Sequence, residues 1–188
     1  TTIDRCLARD WPDKAVSLGD NSHDTIVRGC LFYNVGKGIE VYHGSTGHFY
    51  NNTIVTSTCG LHLFEKIAGN GGGIADATNN ILWGNAVAIG ISNGSTLSIS
   101  FSDIEGGYTG QGNLDSDPLF LDAGRRDYRL SPGSPAVGTG QDGVDMGAIF
   151  PVGGIPPKPL NLAALTAGAG PIQLTWQEHV AFEYDRAT

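Results

Sequence analysis

Four short segments of one pattern recur along the first half of the chain. Each has a small residue, an apolar residue, any residue and a second apolar residue: Ala15-Val16-Ser17-Leu18, Gly38-Ile39-Glu40-Val41, Gly60-Leu61-His62-Leu63 and Ala88-Ile89-Gly90-Ile91. Their first apolar positions are 23, 22 and 28 residues apart. A second series, centred on Cys6, Cys30, Asn52, Asn80 and Ser102, is spaced by 24, 22, 28 and 22. Both series lengthen at the same interval, where the glycine-rich stretch Ile67–Gly73 supplies a loop insertion. Two patterns in one register define a repeat. A repeat of this length means a stack of supersecondary units, none of which can bury its apolar face alone.

Within each segment the apolar residues alternate with a period of two, the signature of a strand with one face inward. No segment between them carries a helical period, and glycine, at 28 of 188 residues, disfavours helix throughout. The glycines do not recur every third residue, so collagen is excluded as well. The repeat therefore predicts an all-β chain: a parallel β-helix of four to five coils, each of three short strands, stacked about 4.8 Å apart. Val16, Ile39, Leu61 and Ile89 form one interior stack, and Leu18, Val41, Leu63 and Ile91 another. The second series marks an inward bend, where a small polar side chain can satisfy backbone groups that leave the sheet. Asn52 above Asn80 forms a ladder of amides, Ser102 extends it, and Cys6 and Cys30 take the same place as small buried thiols. A Cys6–Cys30 disulfide is disfavoured by the geometry expected between adjacent coils, and Cys59 has no evident partner.

After Ser102 the repeat stops. Residues Leu119, Phe120, Leu121, Tyr128 and Leu130 lie in an irregular tail rich in Pro, Gly and Asp, suited to covering an open coil end. The strings Asp117-Pro118-Leu119-Phe120, Asp127-Tyr128-Arg129-Leu130, Pro132-Gly133-Ser134-Pro135-Ala136 and Asp145-Met146-Gly147-Ala148 occur in that order. In this they resemble the C-terminal module of bacterial secreted β-helix proteins of the choice-of-anchor Q type, over roughly residues 75–150. The resemblance implies a right-handed helix. Residues 151–159 are a Pro/Gly linker. Within 160–188, Leu160-Asn161-Leu162 and Ile172-Gln173-Leu174-Thr175-Trp176 resemble the first two strands of a fibronectin type III domain, which needs about seven strands and 100 residues. Domains are thus expected at 1–150 and 160–188, the second incomplete, in a chain cut from a larger protein at both ends.

The formal net charge is −8, from 11 Lys and Arg against 19 Asp and Glu. That balance disfavours nucleic acid. No run of 18 apolar residues exists to span a membrane. The third position of the repeat faces outward and carries Ser17, Glu40, His62 and Gly90. Resemblance to β-helix enzymes, which work on the outer face of one sheet, makes Glu40 and His62 the candidate acid–base pair one coil apart. Lys37, Tyr42 and His43 are candidate ligand contacts on the same face, with Glu65 and Lys66 nearby. Outward charged pairs are ordinarily solvated, and neither a paired-Asp motif nor an Asp/Arg set typical of pectin-active β-helices is present. Asp115 and Asp117 are calcium candidates, although the segment lacks the glycine and distal glutamate of an EF-hand loop. No other cofactor is indicated.

Three functional readings follow. The first is a non-catalytic structural, adhesive or carbohydrate-binding module of a secreted or cell-surface protein, with a polysaccharide or surface glycan as partner. The second is a polysaccharide lyase or hydrolase fragment. The third is a subunit that self-associates through its open ends.

Overall fold

The computed structural model describes residues 1–148 and two strands at 160–165 and 173–177. It divides into a unit Thr1–Ile149 and a unit Phe150–Thr188. The first coil contains β1 (Thr2–Asp4) and β2 (Leu7–Leu18), the second β3 (Thr25–Arg28) and β4 (Leu31–Tyr42). The third contains β5 (Thr46–Tyr50), β6 (Thr53–Val55) and β7 (Cys59–Phe64), the fourth β8 (Ile74–Thr78), β9 (Ile81–Trp83) and β10 (Val87–Ile91). β11 (Thr96–Ser100) and β12 (Asp103–Ile104) begin a fifth. All pair in parallel, β1-β3-β5-β8-β11 in one sheet and the others in a second. The long strands β2 and β4 run through a bend that interrupts the later coils, so the second sheet has two faces. The chain is an all-β parallel solenoid of about four turns.

Each face sends one row of side chains inward. Val27, Phe49, Ala77 and Ile99 are in register on the first sheet. Phe32, Ile54, Leu82 and Ile104 follow on the face that includes β6, β9 and β12. Val16, Ile39, Leu61 and Ile89 are in register on the face that includes β7 and β10, as the repeat predicts. These rows make one continuous core. The second expected stack is also in register, but it frays: Leu63 is buried whereas Ile91 is 37% exposed, because β10 ends its sheet. The small residue that opens the repeat has a steric cause. A Cβ on Gly38 would lie 2.5 Å from Ile54 Cγ2, and one on Gly60 would lie 2.5 Å from the Ala88 carbonyl oxygen.

Corners are built on left-handed residues. Arg5, Gly29, Asn51, Asn79 and Phe101 have positive φ, and each immediately precedes a member of the expected ladder. The following N–H is thereby turned out of the sheet, and a side chain one coil on accepts it. Cys6 N donates to Cys30 Sγ (3.4 Å), Cys30 N to Asn52 Oδ1, Asn52 N to Asn80 Oδ1 and Asn80 N to Ser102 Oγ (each 3.0 Å). Asn113 supplies a further rung, accepting from Ser102 N at 3.0 Å. The amide of Asn80 also donates to the carbonyls of Phe49 (2.8 Å) and Thr78 (3.0 Å), and that of Asn52 to Asn80 Oδ1 (3.0 Å). Cys6, expected to be buried, is exposed, since no coil among the described residues precedes its own. All three cysteines are free thiols, and burial pushes the Cys30 thiol up to about 11.

A second ladder stands at the next corner. Asp10, Asn34, Thr56 and Gly84 are left-handed there, Val35 N donates to Ser57 Oγ (3.3 Å), and Ser57 N donates to Asn85 Oδ1 (2.9 Å). The inserted loop 65–73 closes on itself, with Glu65 Oε1 accepting from Gly69 N (2.8 Å) and Gly71 N (3.0 Å). A carboxylate of the chain thus fills the donor-lined concavity that a glycine run can offer an anion.

The tail does not act as a single cap. Only residues 105–116 close the coil end: Tyr108 packs on the core, and Ile104 N donates to the Leu114 carbonyl (2.9 Å). The following segment lies along the outer side of β6 and β9, and includes the hairpin of β13 (Phe120–Asp122) and β14 (Asp127–Leu130). There Ala136 and Met146 bury Ile81, Tyr128 meets Tyr33 at 5.3 Å, and Ala148 N donates to Thr53 Oγ1 (2.9 Å). Gly147 passes so close that a Cβ would lie 2.6 Å from Ile81 Cδ1. Leu119 and Leu121, expected as capping residues, are exposed. In the second unit, β15 (Leu160–Leu165) and β16 (Gln173–Gln177) form an antiparallel pair, matching the two segments read as strands. The linker at 151–159 lies outside the described residues.

Removing a rung leaves buried backbone donors without acceptors. Asn80→Ala should lower stability by roughly 3 kcal/mol or more, read by denaturant unfolding. Asp103 is fully buried, with Oδ1 accepting from Ser116 N (3.1 Å) and Oδ2 without a partner, and burial pushes its carboxyl up to about 6. The folded state therefore binds this proton more tightly than the unfolded chain. The stabilising contribution is complete below pH 4 and is lost as pH rises through about 6. Asp103→Asn should remove this dependence and stabilise the protein by about 2–3 kcal/mol at pH 8 relative to its effect at pH 4.

Candidate functional site

The outward row of β2, β4, β7 and β10 places Ser17, Glu40, His62 and Gly90 side by side, so Glu40 and His62 are neighbours one coil apart. His62 Nδ1 lies 3.3 Å from Glu40 Oε2. The Lys37 ammonium donates to the same oxygen, and Lys14 Nζ lies 4.0 Å from Oε1. The expectation of a solvated surface pair does not hold for Glu40, which is only 2% exposed. Two lysines and the imidazole cover it, and burial in such a position is tolerable only because these partners are present.

An aromatic shelf continues the same face. Tyr42 and Phe64 are in register with ring centroids 5.5 Å apart, and His62 stacks on Phe64 at 4.4 Å. Lys37 Nζ stands 5.5 Å from the Phe64 centroid, and Lys66 Nζ 5.0 Å from that of Tyr42. The Tyr42 ring lies over Gly19, where a Cβ would be 2.3 Å from the ring. Three of the chain's four lysines, Lys14, Lys37 and Lys66, thus gather around one carboxylate and three rings. Tyr42 and His62 remain partly exposed.

His43 stands apart from this group. It is 6% exposed, its Nδ1 is 3.2 Å from Asp20 Oδ1, and it meets Tyr42 edge-on at 4.9 Å. It supports Tyr42 from the third corner and lines a recess of about 400 Å³ with Asp20, Asn21, Gly69 and Asn70. Asp115 and Asp117 serve backbone turns, Asp115 Oδ1 accepting from Gly106 N (3.0 Å) and Asp117 Oδ1 from Leu119 N (2.9 Å). No group of three or more His, Cys, Asp or Glu side chains suited to a metal occurs among the described residues. No helix among them is long and apolar enough to cross a membrane.

The arrangement assigns Glu40 a positioning task. Its carboxylate holds Lys37 and His62 beside Tyr42 and Phe64, whose rings are tilted by 41°. A glycosidic oxygen would have to displace both partners to reach it, whereas Tyr42, His62 and Phe64 are partly exposed. Glu40→Ala should lower stability by roughly 1–3 kcal/mol, below the usual cost of breaking a fully buried pair because Lys37 is about a third exposed. Replacing Lys37 and Glu40 together by Leu should recover most of that loss, as read by thermal or denaturant unfolding. Compared with the models of protein families, with curated proteins and with solved structures, the chain matches none.

Proposed function

We propose that this solenoid is a non-catalytic glycan-binding module of a larger secreted or cell-surface protein. The observation that carries the reading is the shelf of Tyr42, Phe64 and His62 on a rigid parallel sheet, with Lys66 over one ring and Lys37 beside another. Pyranose rings present apolar C–H faces between hydroxyl edges, and they match side chains that combine a flat apolar body with a polar rim. Glu40, spent on Lys37 and His62, supports that shelf rather than attacking a bond. The tail motifs from Asp117 to Ala148, in the order typical of the choice-of-anchor Q type, support a bacterial module of that kind with a right-handed coil. The strand pair at 160–165 and 173–177 supports the start of a fibronectin type III-like domain after it.

Affinity electrophoresis against polygalacturonate, alginate and soluble cellulose derivatives tests the reading. At least one polysaccharide should retard the protein, and Tyr42→Ala with Phe64→Ala should weaken that retardation tenfold or more. Binding that survives both substitutions would overturn the assignment of the shelf. New reducing ends or unsaturated sugars released by the wild-type chain, and abolished in Glu40→Gln, would overturn the non-catalytic reading.

A further inference from the structure

The first coil carries one residue more than the second at the bend between the two faces of its long strand. Trp11 is in register with Val35 and Lys14 with Lys37, so three steps of β2 oppose two of β4. The surplus pushes Trp11-Pro12-Asp13 outward as a ridge. Pro12 crosses directly over Gly36, where a Cβ would lie 2.3 Å from the Pro12 carbonyl oxygen. Trp11 is left 59% exposed. From this ridge a groove of about 860 Å³ runs across the successive second corners of the stack. Its polar lining includes Asp10, Asn34, Thr56, Thr58 and, at the far coil, Glu105.

We propose that this groove is a second binding site, separate from the aromatic shelf, for an uncharged polysaccharide chain lying along the solenoid axis with one sugar stacked on Trp11. Four observations carry the assignment. First, an indole this exposed at the head of a polar groove is a surface for the apolar face of a pyranose. Second, the corner recurs once per coil, about 4.8 Å, close to the length of one pyranose unit in an extended chain, so Asn34 on the second coil, Thr56 and Thr58 on the third and Glu105 on the fifth follow one another along it. Third, no lysine or arginine lines the groove, whereas two carboxylates do, in a chain of net charge −8. Arg9 and Arg126 pair with Asp10 from outside the lining, so the groove carries no excess of positive charge to draw an acidic glycan.

The carboxylates are themselves engaged. Asn34 Nδ2 donates to Asp10 Oδ1 (2.8 Å) and Arg126 pairs with Oδ2 (2.8 Å), which together hold Asp10 below the usual carboxylate range, while Gly84 N donates to Glu105 Oε2 (2.6 Å). Finally, the corner offers no open backbone edge to a peptide. Thr56 N donates to the Trp83 carbonyl, Ser57 N to Asn85 Oδ1 and Thr58 N to the Val35 carbonyl. A strand added there finds these donors already taken, so a glycan, which needs hydroxyl partners and a ring to stack on, fits better than a polypeptide.

The test is titration of the chain with cellohexaose, xylohexaose and mannohexaose, followed by calorimetry and tryptophan emission, with hexagalacturonate as the charged comparison. At least one neutral hexasaccharide should bind and perturb the emission. Trp11→Ala should weaken it tenfold or more, and Thr58→Leu, which removes a floor hydroxyl and keeps the indole, should weaken it several-fold. With the shelf removed by Tyr42→Ala, the change in emission that depends on Trp11 should persist. Trp11 and Thr58 are both exposed, so circular dichroism of the variants should match the wild type. The proposal is overturned if none of the three neutral sugars binds, if Trp11→Ala and Thr58→Leu bind as tightly as wild type, or if hexagalacturonate binds more tightly than all of them and loses that binding in Trp11→Ala. Binding lost in Tyr42→Ala but kept in Trp11→Ala would leave the shelf standing and remove the groove.

Discussion

A backbone N–H that turns inward at a corner cannot stay unpaired, and the whole solenoid is organised around where that hydrogen goes. At the first corner a left-handed residue releases it, and the side chain of Cys30, Asn52, Asn80, Ser102 or Asn113 in the following rung accepts it. Each bond points the same way along the axis, so a coil is satisfied only once the next has formed. The parallel sheets alone would tolerate slippage of a rung, since their interior rows are all aliphatic or aromatic. The ladder does not, because a slipped rung leaves buried donors facing carbon. It also explains the form of the end: Asn113 comes only 11 residues after Ser102, supplied by a local turn instead of another coil.

The first ladder was legible because its side chains are small and polar and its spacing keeps step with the apolar repeat, the long interval included. The second was not. Val35, Ser57 and Asn85 share no residue type, and the signal lay one position earlier, in Asp10, Asn34, Thr56 and Gly84, which are spaced like the first ladder and are of types that adopt positive φ. The buttress along the side had a signal as well. Leu31-Phe32-Tyr33 and Ile81-Leu82-Trp83 are unbroken apolar triplets, where a strand with one wet face would alternate. Read that way, they require cover on both sides, which Tyr128, Ala136 and Met146 provide. The neighbourhood of Glu40 and His62 followed from register alone. The burial of Glu40 did not, because it depends on the rotamers of two lysines that no periodicity records.

That cover decides which surfaces are free to work. With residues 117–148 lying against β6 and β9, the face that includes those strands is closed. Arg126 reaches Asp10 and the Tyr33 ring, tying the buttress to the first two coils. The face of Tyr42, His62 and Phe64 and the corner that leads into it remain open, as does the outer side of the first sheet, where Tyr50 and Ile74 are exposed. The two surfaces differ in charge, lysines gathering on the face and carboxylates in the groove. They also differ in origin: the shelf comes from the repeat, the groove from a departure from it.

This contrast bears on how a solenoid acquires a site. A perfectly regular stack presents the same side chain at every rung and so recognises only a periodic partner. Specificity enters where one coil breaks the rule. Here the extra residue before Lys14 throws Trp11 outward, Gly36 of the next coil lets Pro12 cross over it, and Gly84 keeps the far end of the groove free of a side chain. On the shelf the irregularity is chemical: Ser17 and Gly90 flank Glu40 and His62 in one row, so this pair and the rings of Tyr42 and Phe64 are confined to the two central coils. The ladder makes both departures affordable. Corner donors are satisfied by side chains of the core and not by the outer surface, so outward residues can change without disturbing the bonds that hold the coils in step.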